Sequence, residues 1–377
     1  MAHGTGVVGT TGATIRTTAD FERQVLSGRV VFGAGRVAAL GAELGTLGLE
    51  RALLISSTRR PGLAGHVRQH GGTRIAATWG EVRQHVPADL VERATACAQR
   101  ADGLVCAGGG STIGLAKALA LRTGLPVVAI PTTYSGSEMT PVWGITEHGT
   151  KRTGRDPSVQ ASTVIYDPEL MLDLPPSVEC PSALNAFAHC AEALYAPRAD
   201  PVTLLTAAEG ARRIAGALRA SAGEDRLARC TELALGAYLG GAAFASVGGS
   251  IHHALCHLLG GRYDLPHAET HAAVLPHVLS CIGPAIPDAL SELGRALGVE
   301  ATDVPGACWD QAAGVGCPTG LAALGLSRDA ALRVAADLAS RTEMVDREGA
   351  VTLLDAAWRG ERPDTVAGAV ADAVALP

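Results

Sequence analysis

Six of the twelve histidines in this 377-residue chain fall in one stretch, GGSIHHALCHLLGGRYDLPHAETHAAVLPH, from Gly248 to His277. An imidazole can ligate a metal, and its ordinary pKa lies near neutrality, so such a cluster suits Lewis-acid or proton-transfer chemistry. His253 and His257 are four residues apart, which puts both on one face of a helix, and His267 follows ten residues later. That spacing looks like a metal site. A lone buried histidine is usually a satisfied core residue, but that reading is a poor one for a set. His252 is expected to point elsewhere on the helix from His253. His271 has a weaker claim, and His277, after Pro276, reads as structural.

Three other stretches could do chemistry. AGGGSTIGLAKALA (Ala107–Ala120) ends a buried strand in glycines and opens a helix with Ser111 and Thr112. Gly109 and Gly110 allow close backbone approach, and a helix N-terminus favours a pyrophosphate. The turn is neither GxGxxG nor a P-loop, and by itself it is also an ordinary strand-to-helix turn. ALLISST ends a strand in Ser56, Ser57 and Thr58, followed by Arg59 and Arg60, where an acidic residue often holds an adenosine ribose. Without that carboxylate a 2′-phosphate is not repelled, so both NADH and NADPH are expected. IPTTYSGSEMTPVW supplies the hydroxyls of Thr132, Thr133, Tyr134, Ser135 and Ser137. KRTGRDP gathers Lys151, Arg152 and Arg155 in a chain of net charge −6. A run like this is usually a solvated loop, but arginine grips carboxylates bidentately, which makes Arg155 a candidate substrate anchor.

These groups need elements to position them. The first half alternates β-rich runs (RVVF, RALLISS, TRIAATW, GLVCAGGG and LPVVAIPTT) with helical ones (RVAALGAELGTLG, PADLVERATACAQRAD and STIGLAKALALRTG). Such alternation predicts a mainly parallel sheet covered by helices on both faces. After Pro168 the chain becomes Ala- and Leu-rich with long amphipathic segments, which predicts an all-helical second domain. The expected division is a flexible Gly/Thr-rich tail over 1–18, a nucleotide-binding α/β domain over 19–170 and a helical domain over 171–377. With 47% hydrophobic and 18% charged residues, the composition is that of a globular chain. No long basic block invites nucleic acid, and no uncharged apolar run spans a bilayer. Nine scattered cysteines without a CxxC pair suggest reduced thiols in a cytoplasm.

GGGSTIGLAKALA, PTTYSGSEMT, TVIYDPEL, NAFAHCAEALYA and HHALCHLLGGRYDLPHAETHAAVLPH occur in the order found in the iron-containing alcohol dehydrogenase family, which the chain resembles over nearly its whole length. The resemblance implies a nucleotide-binding α/β domain, a helical domain and an active site in the cleft between them. It implies dinucleotide contacts at Gly109, Gly110, Ser111, Thr132, Thr133 and Lys151, to which the strand end above adds Ser57 near the ribose. Lys151 precedes Asp167 by 16 residues, as the family pattern expects.

The family's four metal ligands map to Asn185, His189, His253 and His267, with His257 beside the reacting centre. Asn185 stands where metal-binding members have aspartate. A neutral amide is a weaker donor and removes one compensating charge, so the expectation is an inherited cradle that works without a metal. TPVWGITEHGTKRTGRDP and DLPHAETH are most similar to the branch that reduces an enone flanked by two carboxylates, such as maleylacetate. His253, His189, His257 and His267 are then the expected catalytic groups, one imidazole protonating near neutral pH. Arg155, Tyr134 and Asn185 are the expected substrate contacts, and NADH or NADPH the hydride donor. The implied partner is a small dicarboxylate, with no nucleic acid or membrane, and the implied assembly a homodimer. A metal-dependent alcohol dehydrogenase or aldehyde reductase of the same family remains the alternative, with a dehydroquinate-synthase-like lyase behind it. A catalytically silent binding protein is disfavoured by the completeness of the site residues, and failure to bind any dinucleotide would revive it.

Overall fold

Neighbouring residues of the central strands point to opposite faces, yet nearly all are buried, so helices must cover both sides of the sheet. The computed structural model describes residue 21 and residues 28–147, 150–220 and 225–363. The expected tail over 1–18 lies outside the described residues. The strands are Arg29–Phe32 (β1), Ala52–Ile55 (β2), Ile75–Trp79 (β3), Leu104–Gly108 (β4) and Val127–Pro131 (β5). Val142–Glu147 (β6) and Thr150–Arg155 (β7) follow, and Thr163–Tyr166 (β8) returns to the sheet. The sheet has the order β1-β8-β5-β4-β2-β3 with parallel pairing throughout, while β6 and β7 form an antiparallel hairpin of their own.

Helices Leu40–Thr46 (α1) and Leu63–Gly71 (α2) cover one face, packing Leu40, Leu44 and Val67 on Leu54, Val105, Val128 and Ile165. Ala88–Ala98 (α3) and Gly110–Thr123 (α4) cover the other, over Leu53, Leu104, Cys106 and Ala129. Each fully buried Leu or Ile here contributes about 2 kcal/mol of transfer free energy. After β2 the chain crosses to one face, and after β4 to the other. A crevice therefore opens at the carboxyl ends of these two neighbouring strands, where open α/β sheets bind ligands.

From Pro176 on, the described chain is helical. Pro176–Tyr195 (α5), Pro201–Arg219 (α6) and Arg226–Val247 (α7) pack against one another. Ile251–Tyr263 (α8) and His267–Ile282 (α9) follow, then Pro287–Leu297 (α10), Val304–Gly314 (α11), Arg328–Ala339 (α12) and Arg347–Arg359 (α13). By length and composition α7 could cross a membrane, but it packs along α5 and α6 and 56% of its apolar window is buried. The fold class expected from sequence is therefore observed: a mainly parallel α/β sheet region followed by a helical one. Two details differ. KRTGRDP is no loop but largely strand β7, and His267 opens helix α9 instead of sitting in a loop.

Candidate active site

One cavity of about 820 Å³ runs from the crevice at β2 and β4 into the helical region. At the sheet end it is lined by Ser57 and Arg59 after β2, by Gly109, Gly110 and Ser111 after β4, and by Thr132 and Thr133 after β5. Gly108 has φ +157°, and a Cβ there would lie 2.4 Å from Thr112 Oγ1. Only glycine fits so tight a turn. Among the described residues no side chain caps α4; the Thr112 N–H turns back to Gly109 O, which leaves the amides of Gly110 and Ser111 for an anion such as a pyrophosphate. All seven expected cofactor contacts, Lys151 included, line this one cavity.

The loop after β5 is fastened from below by Lys117 of α4. This lysine is 2% exposed, and its Nζ donates to Ser137 O at 2.5 Å, Val142 O at 2.9 Å and Thr140 Oγ1 at 3.0 Å. Burial pushes its pKa down to about 7. At Gly136, φ +67°, a Cβ would come within 2.8 Å of His189 Nδ1, so this loop also abuts the imidazole end of the cavity.

That end is built by three helices. α5 presents Asn185, His189 and Glu192 at intervals of four and three, hence on one face. α8 presents His253 and His257, and α9 begins with His267. His189 and His253 stack with centroids 4.9 Å apart, and Phe244 lies 4.4 Å from His253. His257 lies 6.1 Å from His253 and 6.3 Å from His267. Asn185 Nδ2 donates to Ser135 O at 3.3 Å, while its Oδ1 and His189 Nδ1 are buried without a hydrogen-bond partner among the described residues. The four expected catalytic histidines are thus brought together, and Asn185 joins them at the cavity wall.

Burial works against their expected protonation. Burial pushes His189, His253 and His257 down to about 3, and carries His267 well below the ordinary histidine value. The Lys151 ammonium adds to the effect on His253, His257 and His267. Burial thus works against the expected imidazolium at these rings, while the Glu192 carboxylate in contact with His253 Nδ1 favours a proton on that one. Desolvation together with neighbouring positive groups opposes the ordinary basicity of the ring.

Two expected substrate contacts lie elsewhere. Arg155 does not line the cavity; its Nη2 donates to Ala245 O at 2.6 Å. Tyr134 is fully buried beside Cys230 and is also absent from the lining. His252, as expected, points away from the cavity, and its Nε2 lies 2.8 Å from His271 Nδ1 in a buried hydrogen bond.

Several residues at the site escape a sequence reading. Glu192 is wholly buried and contacts His253 Nδ1. Its helical phase with Asn185 and His189 is a usable signal. His85 reaches the cavity from the loop before α3 through a turn in which His85 (φ 58°) and Val86 (φ 50°) both adopt a conformation unusual for such residues. Thr146 of β6 secures the turn, its Oγ1 donating to His85 O at 2.7 Å and its N–H to Val86 O at 3.0 Å. No sequence pattern announces that turn.

Residues 27–168 match the family described as iron-containing alcohol dehydrogenase, and residues 180–349 match the C-terminal part of the Fe-containing alcohol dehydrogenase family. A maleylacetate reductase of Burkholderia cepacia is 44% identical over 344 residues, which is 89% of this chain and 97% of that protein. The crystal structure of maleylacetate reductase from Agrobacterium tumefaciens aligns with a TM-score of 0.83 at 40% identity, covering 91% of this chain and 99% of that one. An iron-containing alcohol dehydrogenase from Corynebacterium glutamicum aligns with a TM-score of 0.84 at 39% identity, covering 91% and 98%.

Proposed function

This chain belongs to the iron-containing alcohol dehydrogenase family, and within it we propose an NAD(P)H-dependent reductase that saturates the conjugated C=C of maleylacetate, or of a related unsaturated keto dicarboxylate. The product of maleylacetate would be 3-oxoadipate, in the degradation of aromatic rings. One observation carries the reading. A single cavity joins the uncapped N-terminus of α4, where a pyrophosphate fits, to an imidazole-lined end, in a chain similar over most of its length to maleylacetate reductases.

Hydride goes to the carbon β to the ketone, and the electron pair of the C=C passes to the enolate. The enolate oxygen then needs a donor, and the adjacent carbon a proton. Lys151 lines the cavity and can meet the substrate's negative charge, with the imidazole rings lining the same cavity. His253 remains the first candidate for polarising the ketone or donating the proton, supported by His189, His257 and His267.

The family's name implies iron. The four ligand positions offer three neutral rings and the neutral amide of Asn185. The compact imidazole trio is a different set, His252, His253 and His271, with ligand atoms within 4.8 Å of one another, and two of these rings already bond each other. Three imidazoles are good ligands for a divalent cation, but an amide in place of the carboxylate makes the set a weaker holder than an aspartate-bearing one, and on that difference rests the reading of turnover without a metal. A second reading, metal-dependent reduction of an aldehyde, draws on the unpartnered Asn185 Oδ1 and His189 Nδ1. Nine unpaired cysteines, seven of them buried, support a reducing cytoplasm, and the family resemblance supports a homodimer.

The test is a spectrophotometric screen of NADH and NADPH oxidation against maleylacetate, substituted maleylacetates and simple aldehydes. The expected kcat/KM for maleylacetate exceeds that for any aldehyde by at least about a hundredfold. The reverse order makes the aldehyde the substrate.

A further inference from the structure

Behind the imidazole end lies a carboxylate that no sequence motif singled out. Glu192 is 0% exposed, and three of its hydrogen-bond contacts bear on the start of α8. Its Oε1 accepts from the backbone N–H of Ser250 at 2.8 Å and of His253 at 3.2 Å, while Oε2 contacts His253 Nδ1. A buried carboxylate is costly unless nearly all its lone pairs are used, and here the partners include one histidine and the backbone that carries it, with Tyr195 of α5 beside them.

We propose that Glu192 is the positioning residue for His253: it holds the Nδ1 edge of the ring so that Nε2 is the nitrogen turned to the cavity. The contacts around the ring agree. His253 stacks on His189, meets Phe244 at 4.4 Å and meets His271 edge-on at 4.5 Å, so three of its sides are occupied by other rings. The side bearing Nδ1 is occupied by Glu192. A Cβ on Gly249 would lie 3.0 Å from the His253 Cβ, so the chain before α8 leaves the ring no room to swing back. Ring walls alone would still allow the imidazole to flip about its Cβ–Cγ bond and exchange its two edges. Only a specific polar partner at one nitrogen removes that freedom, and carboxylates serve histidines this way in many sites.

The activity part of this inference rests on the proposed reductase reading, so the test includes a measurement that does not. Glu192→Gln keeps the shape and an oxygen acceptor but loses the charge. Its kcat for maleylacetate is expected to fall about 10- to 100-fold, with the KM for NADPH changed less than about twofold. In a His253→Ala background the same substitution is expected to cost nothing further, because Glu192 acts only through that ring. Losses that multiply in the double variant would overturn the proposal, as would an equal fall in nucleotide affinity. Independently of activity, nitrogen NMR of histidine-labelled protein should show the His253 resonances, assigned by their absence in His253→Ala, shifted by Glu192→Gln. Unchanged His253 resonances would overturn the proposal. If the wild-type protein does not turn over maleylacetate, the reductase reading fails while the NMR result still decides the role of Glu192. Should Glu192→Gln not fold, Glu192→Asp replaces it, keeping the charge but withdrawing it from the ring. If neither folds, Glu192 is a stability residue and the proposal is wrong.

Discussion

Arg155 Nη2 donates to the carbonyl oxygen of Ala245 at 2.6 Å, joining the end of β7 to the last turn of α7. The final carbonyls of a helix have no intrahelical donor, and a guanidinium there both satisfies one and complements the helix dipole. The bond draws the arginine away from the cavity and gives it a structural task. Arg155→Met is expected to leave the KM for a dicarboxylate within about twofold and to cost about 1 kcal/mol of stability, read by urea denaturation. A KM raised tenfold or more would return Arg155 to the substrate.

On the proposed reading, Lys151 supplies the charge at the substrate that Arg155 does not. It lines the cavity, and burial lowers its pKa. Lys151→Met should lower kcat/KM by about two orders of magnitude, with most of the loss felt by dicarboxylate substrates. An unchanged kcat/KM would place Lys151 outside the reaction.

Ser57 and the exposed Arg59 lie at the sheet end of the cavity, where an adenosine ribose would reach. Wild-type kcat/KM for NADH and NADPH should differ by less than about a thousandfold, roughly 4 kcal/mol. Ser57→Asp places an anion there and should reduce use of NADPH at least about tenfold more than use of NADH. An unaltered ratio would mean that the 2′ position is not at Ser57.

Burial holds His189, His252, His253 and His257 at about 3 and His277 at about 4. In the unfolded chain these rings titrate near 6.5. Below that value the unfolded state takes up protons that the native state refuses. Stability is therefore full above about pH 6.5 and falls as pH drops toward 4 and 3. By about pH 5.5 each ring removes on the order of 1 kcal/mol. The urea midpoint should be flat from pH 8 to 7 and fall steeply below, and His277→Gln should make the fall shallower by about one proton. A midpoint that stays put down to about pH 5.5 would show that these rings are not desolvated.

Much of this was legible beforehand. The apolar strands and the glycine turn after β4 follow from residue type, and the histidines of α8 from helical spacing. What was not legible depends on long-range pairing. In β6 and β7 the residues are mostly half-exposed and interrupted by Gly144 and Gly154, so no alternation marks a hairpin. Gly154 is required by contact: a Cβ there would lie 2.6 Å from Trp143 on the opposite strand. Arg155 could be assigned to a substrate only by charge, because the carbonyl it satisfies is 90 residues away. The desolvation of the imidazoles, likewise, is a property of packing and not of spacing.

Removal of metal separates the two functional readings. After exhaustive chelation, with metal content checked by mass spectrometry, turnover of maleylacetate should be retained in full, and His253→Ala should abolish most of it. Asn185→Asp should gain affinity for divalent cations, since a carboxylate is the better donor. Loss of activity on chelation, with restoration by a divalent ion, would make Asn185 a ligand and favour the alcohol dehydrogenase mechanism.

The most direct measurement is the position of the transferred hydride. NADPH deuterated at the transferable position is turned over with maleylacetate, and the product is analysed by NMR. Deuterium on the carbon that was β to the ketone, in a product whose ketone is intact, is the result expected for reduction of the C=C. Deuterium on a newly formed carbinol carbon, with the double bond retained, would contradict it.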